Sequence, residues 1–284
     1  MQHWPDHVKN IVKLALDEDI GSGDITTDAI YGGSETGSAI LVSREEGVLA
    51  GMDLAGYIQH QVSEAVSCLP AMKDGDRLTP GMAIARFEGP LAPILSAERT
   101  LLNFLQRMCG IATRTDQYVN ELTATRTRIL DTRKTAPGHR YLDKMAVRIG
   151  GGTNHRMRLD DRFLIKENHI RMAGGIEKAI LLCSGYRKRH RLKAGIEIEV
   201  TSLDELKQVI NCGVVDYVML DNMSLDEMKE AVRQVDGRFQ TEASGNVTVE
   251  RLRDIAGTGV DYISSGSLTH SVRAMDISLL VDNR

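Results

Sequence analysis

The chain has 284 residues, 42% of them hydrophobic and 26% charged, with a formal net charge of −4. That length suffices for one large core or two domains, and the acidic balance excludes general attraction to nucleic acid or to an anionic membrane surface. Cys68, Cys109, Cys183 and Cys212 are widely spaced with no CxxC pair, which reads as reduced thiols in a cytoplasmic protein. The first residues show no basic-then-apolar leader, and no apolar run approaches ~18 residues, so no membrane span is expected.

In chain order, Pro5 to Asp19 reads as a helix. Val8, Ile11, Val12, Ala15 and Leu16 share one face, and Pro5 suits the first turn. Gly21-Ser-Gly-Asp24 ends it. From Thr36 to Leu95 short apolar runs (Ser38–Ser43, Gly47–Gly51, Ala83–Phe87) alternate with turns, interrupted by a helix from Asp53 to Ala65. This is the pattern of a small α+β domain with an antiparallel sheet. Ser96 reads as the N-cap of the next helix, whose stripe of Leu101, Leu102, Leu105, Met108, Ile111 and Ala112 leads to Leu122.

Beyond that helix, strand and helix alternate. Strands are expected at Thr127–Asp131, Arg162–Lys166, Gly195–Val200, Tyr217–Leu220, Phe239–Ala243 and Tyr262–Ser265, with a seventh near Ala146–Ile149. Helices fill Gly138–Met145, Ile176–Lys188, Leu203–Asn211, Leu225–Val235 and Val249–Gly257. Repeated βα units imply a parallel sheet, TIM-like or doubly wound. Polar groups at Asp131 to Lys134, Lys166, Glu199, Asp221, Glu242 to Ser244 and Ser265-Gly266 all fall at strand C-terminal ends. That favours one mouth over a single switch point. The expected division is an N-terminal domain over residues 1–113 and a barrel over 114–271, with the tail 272–284 packing back on the first.

Charge is concentrated in the same region. Residues 126–171 hold 12 Lys/Arg against 5 Asp/Glu, or +7, leaving −11 for the remainder. Arg133, Lys134, Arg156 and Lys166 lie near strand ends, beside Gly150-Gly-Gly152 and His155. Arg forks suit carboxylates and Lys supplies a point charge for phosphate. Solvated faces account for Arg140, Arg148, Arg187 to Arg191 and Arg233. His155, His169 and His270 have no metal-ligand spacing, and a hydrogen-bonded histidine is the default for each. Glu199 and Asp221, ending adjacent strands, fit a cation held through water, ribose hydroxyls or acid–base work; pairing with a cation or capping a helix is the plain alternative. Ser244-Gly-Asn246 and Ser265-Gly-Ser267 each end a late strand, where a glycine turn exposes N–H groups suited to a phosphate.

With these residues placed, the chain resembles the quinolinate phosphoribosyltransferase family over nearly its full length. The resemblance rests on Ala15-Leu-Asp-Glu-Asp-Ile-Gly-Ser-Gly-Asp-Ile-Thr-Thr27, Glu98-Arg-Thr-Leu-Leu-Asn103, Gly110-Ile-Ala-Thr113 and Asp131-Thr-Arg-Lys-Thr135. It continues through Gly150-Gly-Gly-Thr-Asn-His-Arg156, Leu164-Ile-Lys166, Asn168-His169, Leu220-Asp-Asn222, Glu242-Ala-Ser-Gly245 and Leu268-Thr-His270. It implies an N-terminal α/β domain, an incomplete α/β barrel, and a homodimer in which Arg99 reaches the other subunit's site. Arg133, His155, Arg156 and Lys166 would meet quinolinate, with Lys134 near 5-phosphoribosyl 1-diphosphate. Glu199 and Asp221 would serve ribose and Mg²⁺. Ser244, Gly245, Asn246, Ser265, Gly266 and His270 would line the 5′-phosphate site. No organic cofactor is implied, because a carbanion beside a ring N⁺ is internally stabilised. Lys134, Lys166, Glu199 and Asp221 are the residues nearest the chemistry.

Three other readings compete. One is the molybdenum-transport-associated paralogue of the family, against which the intact Asn154-His-Arg156 and Lys166-Glu-Asn-His169 stand. A non-catalytic barrel sensing a phosphometabolite is the second. The third, a Schiff-base aldolase, would need a lysine on an apolar rim, whereas Lys166 lies among cations.

Overall fold

The computed structural model describes residues 4–31 and 35–282. The first three residues of the leader reading and the last two of the 272–284 tail lie outside them. Two compact units emerge: Met1–Asp116, Thr135–Gly151 and Ser267–Arg284 form the first, Gln117–Lys134 and Gly152–Gly266 the second. The division therefore differs from a single cut at 113/114. It interleaves the chain and falls within a helix.

In the first unit, α1 (Asp6–Ile20) and α2 (Ile25–Tyr31) precede β1 (Thr36–Ser43) and β2 (Gly47–Val48). Then come α3 (Met52–Val62), β3 (Ser67–Pro70), β4 (Arg77–Leu78), β5 (Ala83–Pro90) and most of α4 (Leu91–Leu122). Val8, Val12 and Leu16 bury one face of α1, and Trp4 beneath it packs against Tyr57. The main sheet is antiparallel in the order β12-β1-β5-β3, where β12 is Ile277–Asp282. β12 lies along β1 from Ser38↔Asp282 to Ser43↔Ile277. Leu101, Leu102, Leu105, Met108, Ile111 and Ala112 line the buried stripe of α4. At Gly110 a Cβ would stand 2.1 Å from the Arg273 carbonyl oxygen, so only glycine allows that approach.

Two local expectations are corrected in this unit. Ser96 is not an N-cap. The helix starts five residues earlier, at Leu91, whose N–H is taken by the Glu35 carbonyl, and Pro93 fits a first turn that needs no N–H there. The run Ala146–Ile149 is not a strand but the end of α5 (Arg140–Ile149), which buries Leu142, Ala146 and Val147. A four-residue apolar run carries no period of its own, and the helical spacing back to Leu142 decides it.

The second unit holds the parallel sheet: β6 (Arg128–Leu130), β7 (Arg162–Ile165), β8 (Gly195–Val200), β9 (Tyr217–Asp221), β10 (Gln240–Ser244) and β11 (Tyr262–Ser264). Between them run α6 (Glu167–Ala173), α7 (Ile176–Arg189), α8 (Leu203–Cys212), α9 (Leu225–Val235), and a 3₁₀ turn at Val249–Arg251 leading into α10 (Leu252–Ala256). α11 (Ser267–His270) follows in the first unit. The strand order β6-β11-β10-β9-β8-β7 places the earliest strand beside the last, as barrel closure requires, but leaves β6 and β7 at opposite ends. The sheet is an unclosed, six-stranded version of the barrel.

Alternation along the strands separates two faces. Ile129, Ile165, Ile196, Ile198, Val200, Val218, Leu220, Ala243 and Ile263 are all buried, toward the layer formed by α7–α10, which itself buries Ile180, Leu206, Val209, Ala231 and Leu252. Each such aliphatic stabilises the fold by roughly 1.5–3 kcal/mol. The opposite face carries Glu197, Glu199, Asp221, Glu242 and Ser244, in register through Glu199↔Met219, Glu242↔Met219 and Ser244↔Asp221. The candidate site carboxylates borne by these strands are on that second face.

Candidate active site

The unclosed edge is where the basic motif goes. Thr153 forms a parallel bridge to Leu130, donating its N–H to the Ile129 carbonyl while its own carbonyl receives the Asp131 N–H. Asp131, fully buried, accepts the His155 N–H at 2.8 Å and the Asn154 side-chain amide. Arg156 then reaches β7, its Nη1 donating to the Arg162 carbonyl at 3.1 Å. Thus Thr153-Asn-His-Arg156 borders the free edge of β6 and is tied to β7, delivering an imidazole and a guanidinium into the gap.

Cations crowd there. Burial first, and the Arg133 guanidinium next, pull Arg156 below its ordinary pKa, with Arg162 adding to the effect; Glu197 and Asp161 oppose it. Like charges held together at a half-buried position cost free energy in the empty protein, and an anionic ligand offsets that cost. Lys166 follows β7 and forms an ion pair with Glu199 of β8. Its own N–H is capped by His169 Nδ1 at 3.0 Å, so the histidine of the Lys166–His169 motif serves the start of α6. Lys134, exposed, donates its backbone N–H to Thr132 Oγ1.

His155 lies almost wholly inside. Its Nδ1 accepts the Arg156 N–H at 2.7 Å, which places the ring proton on Nε2. Nε2 is 3.0 Å from Glu197 Oε2 and 3.5 Å from Glu242 Oε2, and both glutamates are fully buried. Arg162 Nη1 joins the same Glu197 oxygen at 3.2 Å while its guanidinium lies 4.2 Å from the centre of the Tyr217 ring. Both ring nitrogens of His155 therefore face protein groups. Burial raises Glu197, but the contacts with His155 and Arg162 outweigh it and hold that carboxyl below the usual range. Glu242 goes the other way, raised well above the usual range by burial and then by the charge of Glu197.

Nearer the strand ends, Glu199 and Asp221 are partly exposed, and Asp221 accepts the Asn222 side-chain amide at 2.8 Å. After β10, Gly245 has φ +91°, and a Cβ there would stand 2.2 Å from Asn222 Oδ1, so both conformation and space demand glycine. Asn246 turns its side chain onto that same Asn222 oxygen at 3.1 Å. Ser265 is buried, its N–H donating to the Leu130 carbonyl, and Gly266 is half-buried. In the first unit, His270 is exposed with Nδ1 2.6 Å from Ser271 Oγ, and Arg99 is exposed on α4.

The second unit thus gathers Arg133, Lys134, His155, Arg156, Lys166, Glu199, Asp221, Ser244, Gly245, Asn246, Ser265 and Gly266, while Arg99 and His270 belong to the first. Sequence reasoning missed Glu197 and Arg162 as site residues and put Glu242 at the strand-end rim, whereas it is fully buried with Glu197. Ile196-Glu-Ile-Glu-Val200 reads as a strand with one wet face, yet Glu197 is wholly buried. The available signal was the spacing: Glu197 and Glu199 share a face, and only the first lies too far from the strand end to reach solvent.

An unclosed parallel barrel with a cationic gap and glycine turns at its late strand ends defines an enzyme class that handles small, acidic, phosphorylated substrates. Residues 24–109 match the N-terminal domain, and residues 111–280 the C-terminal domain, of quinolinate phosphoribosyl transferase, and the chain belongs to that family. It is 43% identical over 290 residues to a Nicotiana tabacum protein named quinolinate phosphoribosyltransferase [decarboxylating] 2b, mitochondrial, covering 97% of this chain and 82% of that one. A Bacillus subtilis protein named probable nicotinate-nucleotide pyrophosphorylase [carboxylating] is 42% identical, covering 96% and 92%. The nicotinate-nucleotide pyrophosphorylase structure from Francisella tularensis superposes with a TM-score of 0.93 at 40% identity, over 99% of this chain and 98% of that one.

Proposed function

We propose that the protein transfers the phosphoribosyl group of 5-phosphoribosyl 1-diphosphate to quinolinate with loss of CO₂, giving nicotinate mononucleotide and diphosphate for NAD synthesis. The observation that carries this is the fixing of Arg156 across the unclosed edge, between the strand-end Asp131 that anchors His155 and the Arg162 carbonyl of β7, with the Arg133 charge adding to a cationic site that a dicarboxylate relieves. Family membership supports the same reading.

In this reading Arg133, Arg156 and Lys166 grip the two carboxylates and aim the pyridine nitrogen at the anomeric carbon. Such positioning lowers a barrier by up to ~7–11 kcal/mol. His155 acts from behind, holding the Arg156 backbone rather than offering a free nitrogen to the ligand. Lys134 faces the diphosphate, and the Gly245 and Gly266 turns, with Ser244, Asn246 and Ser265, receive the 5′-phosphate. The nitrogen attacks as the C1–O bond breaks and diphosphate leaves. The alkylated ring then loses its 2-carboxylate as CO₂, and the carbon left behind takes a proton. The reaction needs no organic cofactor.

Glu199 and Asp221 offer hard oxygen ligands at adjacent strand ends, which suits Mg²⁺, and the ion would offset charge on the leaving diphosphate. Arg99 enters from a second copy of the chain in a homodimer. A cytoplasmic setting is supported by four free thiols, and among the described residues no helix is long and apolar enough to cross a membrane.

The test supplies purified protein with Mg²⁺, 5-phosphoribosyl 1-diphosphate and either quinolinate or nicotinate, following mononucleotide and CO₂. Turnover with quinolinate alone is expected, because nicotinate leaves cations unpaired at a cost of several kcal/mol, on the order of 2–5. Ligand binding without product would favour a sensing barrel, and inactivity toward both pyridines the molybdenum-associated paralogue.

A further inference from the structure

Beneath the rim, two glutamates meet one imidazole. Glu197 Oε2 already takes His155 Nε2 and Arg162 Nη1. Its other oxygen, and both oxygens of Glu242, receive no well-aligned hydrogen bond among the described residues, although both side chains are fully buried and the Ser264 hydroxyl acts on Glu242 from nearby. One oxygen of each carboxyl and His155 Nε2 all lie within 4.8 Å of one another. Two ionised carboxylates in so dry a place would repel, and donor-less oxygens there would each cost free energy.

A metal ion is one way to fill such a group of oxygens, but the Arg162 guanidinium 3.2 Å from Glu197 Oε2 would repel it. A single proton does the same work without that conflict. Carried by Glu242 and donated to Glu197 Oε1, it would pair one oxygen of each carboxyl, leaving the second Glu242 oxygen to the neighbouring Ser264 hydroxyl. Glu197 then stays the anion that Arg162 and His155 require.

We propose that Glu242 is a positioning residue held as a neutral carboxylic acid, whose hydrogen bond to Glu197 completes a buried clamp on His155 and Arg162 and so sets the guanidinium of Arg156 for the acidic substrate. The chain of contacts is continuous: Glu242 to Glu197, Glu197 to His155 and Arg162, His155 Nδ1 to the Arg156 N–H, and the Arg162 carbonyl to Arg156 Nη1. The two carboxyls are chemically alike, and the clamp assigns them opposite tasks. The raised affinity of Glu242 for its proton, caused by burial and by the Glu197 charge, agrees with that assignment.

The functional consequence rests on the quinolinate reading above; the protonation assignment does not. Infrared difference spectra of the whole protein, wild type against E242Q and against E197Q, test the assignment directly. The carbonyl stretch of a protonated, buried carboxylic acid should be present in the wild type and absent from E242Q. If that band survives in E242Q, or if the purified protein carries a stoichiometric divalent ion that E242Q loses, the proposal is overturned whatever the substrate.

Steady-state kinetics then test the clamp. E242L removes the donor and should lower kcat/KM for the pyridine acid about 10–100-fold, leaving the KM for 5-phosphoribosyl 1-diphosphate unchanged. E242Q restores a donor of similar shape and should recover most of that loss, whereas E197Q, which removes the anion, should not. Equal damage from E242Q and E197Q would refute the division of roles, even if E242L fails to fold. A wild type that shows the infrared band but no turnover would refute the reaction and leave the protonation assignment standing.

Discussion

Replacing Arg156 by Met separates the cost of the site from its use. Among the described residues the side chain donates one hydrogen bond, to the Arg162 carbonyl at 3.1 Å, worth about 1 kcal/mol. Against that loss stands relief from the Arg133 and Arg162 charges, which together with burial depress Arg156. The two nearly cancel, so the ligand-free melting temperature should move by no more than about 3 °C. Binding loses far more. A guanidinium making two charge-assisted bonds to a carboxylate contributes about 1.5–3 kcal/mol per bond. Taking the lower half of that range for a half-buried group, about 3–4 kcal/mol, kcat/KM for quinolinate should fall on the order of 10²–10³-fold. The assay is initial-rate kinetics at saturating 5-phosphoribosyl 1-diphosphate, run beside a thermal melt of the ligand-free protein. If R156M melts many degrees lower, or raises the KM of the phosphoribosyl donor while sparing quinolinate, the anion-clamp argument is wrong.

Gly245→Ala puts a Cβ 2.2 Å from Asn222 Oδ1 at φ +91°; a backbone strain of about 1–2 kcal/mol should raise the KM for 5-phosphoribosyl 1-diphosphate about tenfold in initial-rate kinetics. Asp143→Ala strips a fully buried carboxylate from the two Arg107 bonds of 2.9 and 2.8 Å and from the Ala136 N–H. Urea denaturation should show a loss of about 3–5 kcal/mol, with the R107A/D143A double variant less damaged than the sum of its singles. Glu242 carries a folded-state pKa raised above its ordinary 4.5, so its contribution is present below 4.5 and lost as pH rises toward the folded value. Urea midpoints measured at increasing pH should therefore show E242Q gaining on the wild type, by at most about 1.4 kcal/mol per pH unit.

How much of this could be read beforehand depended on range. All six expected βα strands of the second unit form, because Val/Ile-rich runs bounded by turns are local signals. The seventh failed because Ala146-Val-Arg-Ile149 is too short to show its period. α2, α6 and α11 were missed for the same reason: at seven, seven and four residues they carry too little periodicity to be seen. β12 needs a partner, β1, that is distant in sequence, and the short β3 forms only against β5 across the intervening turns. In the site, cations and glycine turns announce themselves by type and spacing. The meeting of Glu197 with Glu242 does not, since it depends on β8 and β10 being separated only by β9 in the sheet.

The β12 pairing has a consequence for how the molecule is made. β1 is synthesised near the start, yet the strand that covers one of its edges, Ile277–Asp282, is made only some 235 residues later. At about 5–20 residues per second, β1 waits on the order of tens of seconds with that row of N–H and C=O groups uncovered. During that interval the nascent chain offers an edge to which another strand can add. The parallel sheet from Arg128 to Ser264 is finished sooner, needing nothing beyond its own strands. Ribosome pausing or premature termination between Gly266 and Ile277 would thus leave the later-made unit complete and the earlier-made one open, the reverse of the usual order of vectorial folding.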